Sequence, residues 1–266
     1  MTPDQSRAAA KILFEAEKSG TQTGLISLAN PGMTLDDAYA VQSALVGLKK
    51  SAGGKVIGWK IGLTSRAMQQ ALNITTPDSG VLFDDMLFQT GERVPKGRFI
   101  QPRIEAEIAF VMKTDLSGGN VTRADVIAAT DYVTPSLEIL DTRILRADPK
   151  TGQARIITDT ISDNAANAGI VLGGEKHAID AHDLRWQGCI LKRDGVVEET
   201  GLGAGVLDDP VTGIVWLVKR LALYGDGLSA GQVVLSGSFI RPVEAPSGSR
   251  FEADFGGFGY VSIEFE

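Results

Sequence analysis

The sequence predicts an α+β protein in which a small helical N-terminal part, residues 1–55, precedes a β-rich body, residues 56–266. Two observations carry this reading. Helical patterns with capping residues crowd the first fifty positions, and strand patterns separated by Gly, Pro and Ser take over from Val56 and dominate after Tyr132. No repeat of about 20–50 residues and no low-complexity linker divides the chain.

The elements follow in order. Ser6 to Lys18 is Ala-rich and amphipathic. Thr34 to Lys50 opens with a capping pattern, Thr34 with Asp37 three residues on, and Gly53-Gly54 closes it. Val56 to Leu63 reads as a strand, and Thr64-Ser65 caps a short helix from Arg66 to Leu72. Thr75 to Gly80 is a loop by composition, Arg103 to Met112 a long strand, and Thr122 to Thr130 a capped helix. Trp186 to Arg193 and Val196 to Thr200 flank Asp194-Gly195, a hairpin turn whose two positions need positive φ. Asp209-Pro210 starts a helix running to about Tyr224. Gln232 to Arg241, Arg250 to Asp254 and Gly259 to Glu266 complete the strands.

Composition narrows the function. The 266 residues are 43% hydrophobic and 22% charged, ordinary for a globular chain. A net charge of -7 and a pI near 5.0 argue against nucleic acid or an anionic membrane as partner, since both would repel such a surface. Cys189 is the only cysteine, which rules out an internal disulfide. Met1 to Ala10 lacks the pattern of a signal peptide, no apolar run reaches membrane length, and a cytoplasmic protein is expected. The two histidines, His177 and His182, share one polar stretch that reads as a surface connection. Acid–base chemistry therefore falls to carboxylates, lysine or a metal. Gly201 to Gly205 lacks the full dinucleotide-binding spacing and has no βαβ context.

The chemistry concentrates in Arg103-Ile104-Glu105-Ala106-Glu107-Ile108-Ala109-Phe110-Val111-Met112. Strand alternation sends Ile104, Ala106, Ile108, Phe110 and Met112 to one face and Glu105 and Glu107 to the other, followed there by Ala109 and Val111. Two carboxylates about 7 Å apart on a buried face need a cation, and a hard divalent ion with oxygen ligands supplies one. Glu138, in the apolar run Pro135 to Leu140, is available as a third acid. The same residues also suit the solvent face of an edge strand, where charge blocks aggregation, and spacing does not decide between the two. Lys60, beside Trp59 and Ile61, either snorkels outward or serves a buried anion. Asp78, in a Pro-containing loop, either forms a turn or acts on a proton. Asp159 to Gly169 is a polar run suited to capping helices or binding oxyanions.

These segments resemble the 2-oxopentenoate hydratase and oxalocrotonate decarboxylase family of the fumarylacetoacetase-like superfamily. The likeness lies in Gly58-Trp59-Lys60-Ile61-Gly62-Leu63-Thr64-Ser65, Pro77-Asp78-Ser79-Gly80 and Pro102-Arg103-Ile104-Glu105-Ala106-Glu107. It continues in Ala129 to Glu138, Ser162-Asp163-Asn164-Ala165-Ala166-Asn167 and Gly237-Ser238-Phe239-Ile240-Arg241-Pro242, and so spans nearly the whole chain. One departure is Ile240, where the family pattern has threonine. The resemblance implies a fumarylacetoacetase-like mixed β roll or sandwich over residues 56–266. It implies Glu105, Glu107 and Glu138 as ligands of magnesium or manganese, Lys60 and Asp78 in the active site, and Ser162 and Ser238 near a bound 2-oxo acid. The implied activity is metal-dependent water addition to an unsaturated 2-oxo acid by a homo-oligomer that breaks down aromatic compounds. Asp148-Pro149 through Asn164 is most similar to the subgroup acting on 2-oxohept-4-ene-1,7-dioate. The rivals are hydration of 2-oxopent-4-enoate and decarboxylation of an oxalocrotonate-type diacid by the same chemistry. A seven-carbon diacid would need a second cation, with Arg143, Arg155 and Arg241 as candidates by neighbourhood.

Overall fold

In the computed structural model, which describes residues 1–71 and 74–266, three helices come first: α1 (Pro3–Ser19), α2 (Ile26–Ala29) and α3 (Leu35–Ser51). Thr2 caps α1 and Thr34 caps α3, each in a reciprocal capping box, and each cap stabilises its helix by about 1 kcal/mol. Ala9, Ala10 and Leu13 of α1 bury against Val41 and Leu45 of α3, and Ile144 of the body closes the cluster. Polar anchors tie these helices to the rest of the chain. Gln42 Nε2 donates to the Ser79 carbonyl at 2.7 Å, and the Ser27 amide donates to Asp159 Oδ1 at 2.8 Å.

The body continues with β1 (Val56–Gly62), α4 (Arg66–Ala71), β2 (Asp78–Phe83), β3 (Leu87–Gln89) and β4 (Arg93–Val94). Next come β5 (Arg103–Met112), β6 (Leu116–Ser117), α5 (Arg123–Ala129), β7 (Thr130–Leu140), α6 (Ile157–Ser162) and β8 (Asn167–Leu172). The hairpin β9 (Gly188–Arg193) and β10 (Val196–Leu202) turns at Asp194 and Gly195, both at positive φ as expected. α7 (Pro210–Ala222) leads to β11 (Gly227–Leu228), β12 (Val233–Leu235), β13 (Val243–Glu244), β14 (Arg250–Asp254) and β15 (Tyr260–Phe265).

Eight strands form one mixed sheet in the order β2-β1-β12-β5-β7-β8-β3, with β13 also pairing with β5. Five form a second sheet, β10-β9-β14-β15-β4, and β11 pairs with β6. The alternation read from β5 is realised. Ile104, Ala106, Ile108, Phe110 and Met112 enter the main core with Phe251, Phe255 and Ile263 of the second sheet region and Ile214 and Leu217 of α7. Ala109, on the opposite face, packs with Val81, Phe83, Ile170 and Leu235. No helix among the described residues is long and apolar enough to cross a membrane.

Two expectations need correction. Asp78-Ser79-Gly80 is not loop but the start of β2, because it completes the antiparallel ladder with β1, Asp78 opposite Gly62. The strand expected from Gln232 to Arg241 pairs only from Val233 to Leu235. The ladder is then interrupted by a bulge at Gly237, φ 115, although the Ser236 and Phe239 amides still donate to the Ile108 and Ala106 carbonyls of β5 at 3.2 and 2.9 Å before β13 pairs. The polar run Asp159 to Gly169 closes α6 and opens β8. The helix expected from Arg66 to Leu72 is α4, and Leu72 lies outside the described residues.

Candidate metal centre and pocket

β5 has β12 and β13 on one side and β7 on the other, so Glu105 and Glu107 do not sit on a sheet edge. The antiparallel register places Glu105 directly opposite Glu138, and Glu107 opposite Ser136. One carboxylate oxygen from each of Glu105, Glu107 and Glu138 lies within 4.8 Å of the others. Glu107 and Glu138 are fully buried, and Glu105 is half-buried at the wall of a cavity of about 660 Å³. The sequence thus brings together three acids from two strands, a long-range register that no local pattern encodes.

Lys60 is buried, so it does not snorkel outward as a solvent-facing gatekeeper. Its Nζ stands 3.4 Å from Glu138 Oε1, an ion pair without a formed hydrogen bond. Asp78 is also buried and lines the same cavity with Lys60 and Glu105. Gly62 is what lets them meet: a Cβ there would overlap Asp78 Oδ1 and stand 3.0 Å from Lys60 Nζ. Gly237, where β12 gives out, turns its amide to Glu107 Oε2 at 2.7 Å. Neither glycine was singled out by sequence reasoning. The close approach that requires each is visible only once the strands are paired.

Charge does not balance at this centre. At an effective dielectric of about 20, each carboxylate pair at that separation repels by about 3 kcal/mol, and Lys60 attracts Glu138 by about 5 kcal/mol. Counting Asp78, four buried or half-buried carboxyl groups face the one cation Lys60, so their ionised forms are not neutralised. The titration of each group reflects the imbalance. Burial, then Glu138, pushes Glu105 up to about 8. Burial, then Glu138 and Glu105, raises Glu107 well above the usual carboxylate range, against the pull of the Gly237 amide. Burial raises Glu138 and Asp78, with Lys60 opposing in both cases. Burial alone would lower Lys60, yet Glu138 and Asp78 outweigh it and the ammonium is held. Four buried oxygens, Glu107 Oε1, both of Glu138 and Asp78 Oδ1, have no hydrogen-bond partner. Buried polar atoms are almost always satisfied, and an unsatisfied all-oxygen cluster of this charge fits a hard divalent cation.

The other candidates fall in several places. Ser238 lines the cavity, its hydroxyl donating to the Ile240 carbonyl at 2.8 Å and so bracing the turn after Gly237. Ile240, at the position of family departure, lines it as well. Ser162 is buried in α6, donates to the Thr158 carbonyl at 2.7 Å, and is not part of the cavity wall. Arg143 is not available to a ligand: it is buried, with Nε 2.6 Å from Asp163 Oδ1 and Nη2 2.6 Å from the Asp163 carbonyl. Arg155 and Arg241 do reach the cavity. His177 and His182 contact each other and stack around Phe258, away from its wall.

Sequence reasoning gave no special role to the backbone of the polar run. Asn164, Ala165 and Ala166 all hold positive φ (51°, 53° and 57°), which costs about 1–2 kcal/mol per residue. The Asn164 side chain holds the turn by accepting from the Val81 amide at 2.8 Å and donating to the Val81 carbonyl at 2.9 Å. The strained turn thereby presents Ala165 and Ala166 to the cavity.

No family model matches the chain. Its architecture is that of the fumarylacetoacetate hydrolase-like proteins. Fumarylpyruvate hydrolase from Pseudomonas aeruginosa, solved with Mn2+ and pyruvate, aligns over 78% of this chain and 88% of its own with a TM-score of 0.58 at 12% identity, a likeness of fold alone. A nearer solved structure is 4-oxalocrotonate decarboxylase from Pseudomonas putida G7 with magnesium and adipate. Its TM-score is 0.93 at 33% identity, over 100% of this chain and 99% of that one. Among sequences, 2-oxo-hept-4-ene-1,7-dioate hydratase of Escherichia coli is 50% identical over 256 residues, 96% of each chain. The 2-keto-4-pentenoate hydratase of Paraburkholderia xenovorans (strain LB400) is 40% identical over 266 residues, 100% of this chain and 97% of that protein. The chain belongs to this family of 2-oxo-alkenoate and 2-oxo-alkenedioate hydratases.

Proposed function

We propose that the protein is a metal-dependent hydro-lyase that adds water to an unsaturated 2-oxo acid, 2-oxohept-4-ene-1,7-dioate giving 4-hydroxy-2-oxoheptanedioate. The observation that carries this reading is the cluster of Glu105, Glu107 and Glu138, unsatisfied and beside Lys60 and Asp78 at one cavity. The 50% identity to a hydratase of that substrate supports the choice of acid. Glu105, Glu107 and Glu138 would hold magnesium or manganese. When bound, such an ion supplies Lewis acidity toward the oxygens of a 2-oxo acid.

The chain's own groups do the rest. The Gly237 amide orients Glu107, leaving Oε1 free. Lys60, held as an ammonium by its acidic neighbours, offers a proton donor at the cavity wall. Asp78 keeps Oδ1 unpartnered and offers the acceptor that orients or deprotonates the attacking water. Ser238 shapes the wall through its grip on Ile240, and Ser162 would act only by holding α6 in place.

The helical part, residues 1–55, serves to brace α6 and β2, to which Ser27 and Gln42 are bonded. We place the enzyme in the cytoplasm, in aromatic-compound breakdown, as a homo-oligomer. Exposed Ile190, Val196 and Val197 on the β9–β10 hairpin offer an apolar contact for a second copy, and sedimentation would test it.

The 33% identity to the decarboxylase supports a second reading, loss of carbon dioxide from a related diacid. Incubating the magnesium-loaded protein with 2-oxohept-4-ene-1,7-dioate and with 4-oxalocrotonate separates them. The hydration reading requires mass gain by one water without carbon dioxide release. Carbon dioxide release alone, or full turnover after exhaustive chelation, would overturn it.

A further inference from the structure

Four arginines line the same cavity as Lys60 and Glu105: Arg103, Arg146, Arg155 and Arg241. Three already have carboxylate partners. Arg103 and Arg146 share Glu244, and Arg241 Nε lies 2.5 Å from Glu199 Oε1. Arg155 differs, because among the described residues no carboxylate oxygen lies within 4.0 Å of its guanidinium. Its Nη1 donates to the Thr142 hydroxyl, a neutral acceptor.

The two carboxylates nearest in effect are spent elsewhere. Asp163 Oδ1 accepts from Arg143 Nε at 2.6 Å and Oδ2 from the Arg143 amide at 2.8 Å. Asp159 accepts from the Ser27 amide at 2.8 Å, the Ser27 hydroxyl at 2.6 Å and the Ile156 amide at 3.1 Å. Arg155 is thus a half-buried cation without a counter-ion. Burial, with Arg143 and Arg103 adding like charge, lowers its pKa despite Asp163 and Asp159. A guanidinium has five N–H donors in a fixed fork that matches a carboxylate bidentately. The cavity volume lies in the range usual for small-molecule sites, about 300–1,000 Å³.

We infer that Arg155 binds the carboxylate at the far end of the substrate and makes the site select 2-oxo-alkenedioates over 2-oxo-alkenoates that lack that group. This rests on the hydratase reading above and names the residue that sets its substrate class. The paired arginines Arg103, Arg146 and Arg241 contribute less, because a carboxylate arriving there competes with one already bound.

The test compares kcat/KM for 2-oxohept-4-ene-1,7-dioate with that for 2-oxopent-4-enoate in the wild type, Arg155→Gln and Arg155→Met. The dioate-to-monoacid ratio should fall on the order of a hundredfold in both variants, carried mainly by KM. Arg241→Gln should move it less than about threefold, as expected of an exposed pair. Calorimetric binding of adipate and hexanoate to the magnesium-loaded protein gives a readout apart from turnover. The wild type should prefer adipate, and the Arg155 variants should bind the two alike. A ratio that stays put in a folded variant, or an equal loss on both acids, overturns the assignment, as does a larger shift from Arg241→Gln. A wild type that hydrates neither acid sinks the hydratase reading itself, a distinct failure. Arg155→Met keeps an apolar stem in the wall should Arg155→Gln fold poorly.

Discussion

Glu105 and Glu138 stand directly opposite each other across the β5–β7 ladder, a pairing of like charges in the interior of an eight-stranded sheet. Like charges directly opposite destabilise a sheet. Glu107 adds a third carboxylate within 4.8 Å, and Lys60 counters only one of the three at ion-pair distance. The fold therefore carries an electrostatic cost at the point where a cation would remove it.

Removing one of these charges should stabilise the metal-free protein. Glu107→Gln keeps the shape and the Gly237 hydrogen bond to a carbonyl-type oxygen, and it relieves two repulsions wherever the pH is high enough to ionise these raised carboxyl groups. Its melting temperature without magnesium is expected to equal or exceed that of the wild type. Magnesium at a hundred times its Kd should raise the wild-type value by about 5–10 °C, from about 2.7 kcal/mol of binding linkage. The variant should show almost none of that rise, with metal affinity reduced at least about a hundredfold. Thermal scans with and without magnesium check both halves. A variant that melts well below the metal-free wild type would show that the carboxylate stabilises the fold instead.

Chelation should abolish turnover and dissipate the same thermal shift, with magnesium or manganese restoring both. Restoration by zinc alone would contradict an all-oxygen site, since zinc sites draw on His and Cys ligands that this cluster lacks.

Gly62→Ala should separate proton transfer from metal binding. The new Cβ would displace Asp78 Oδ1 and press on Lys60 Nζ, while Glu105, Glu107 and Glu138 lie on other strands. A misplacement of about 1 Å can cost about a hundredfold in rate. We expect kcat to fall by that order with magnesium affinity within about threefold of wild type. Steady-state kinetics beside metal titration decides it; an unchanged kcat would remove Asp78 and Lys60 from the proton-moving role.

Much of this centre was legible in the chain, and the illegible part has a common cause. The alternation of Arg103 to Met112 fixes which residues share a face, so Glu105 and Glu107 could be paired without a structure. The capping boxes at Thr34 and Thr122 are local and were equally readable. What spacing left open was set by partners far away in sequence. Lys60 is buried because β1 lies between β2 and β12, and Glu138 faces Glu105 because of the β7 register. Asp78 became a strand residue through pairing with Gly62, overriding the turn preference of Pro77-Asp78. Arg143 and Arg155 could not be told apart from their neighbourhood, since only packing assigns Asp163 to one of them.

Cys189 should be chemically silent in the native protein. It is 3% exposed, and burial, with Asp254 nearby, pushes its thiol up to about 12 from the usual 9. Only the thiolate alkylates, so ionisation alone slows the reaction by about a thousandfold at pH 8. Iodoacetamide labelling followed by mass should show a protected thiol in buffer and full labelling in denaturant. Rapid native labelling would mean that the β9 region opens readily.

The Arg143–Asp163 pair carries the remaining prediction. Both side chains are buried, Asp163 Oδ1 is 2.6 Å from Nε, and Nη1 also reaches the Asn167 carbonyl at 3.1 Å. The pair joins the loop after β7 to the strained turn at Asn164 to Ala166, and so fixes one wall of the cavity. Removing one partner leaves a buried charge without its mate, which costs about 3–5 kcal/mol. Arg143→Met should lose that much in urea denaturation. Asp163→Asn in the Arg143→Met background should recover part of it, because no lone carboxylate then remains, though the bonds to the Asp163 and Asn167 carbonyls stay lost. A loss below about 1 kcal/mol in the single variant would mean that solvent reaches Asp163 once the arginine is gone, and that the turn is held by Asn164 on Val81 without it.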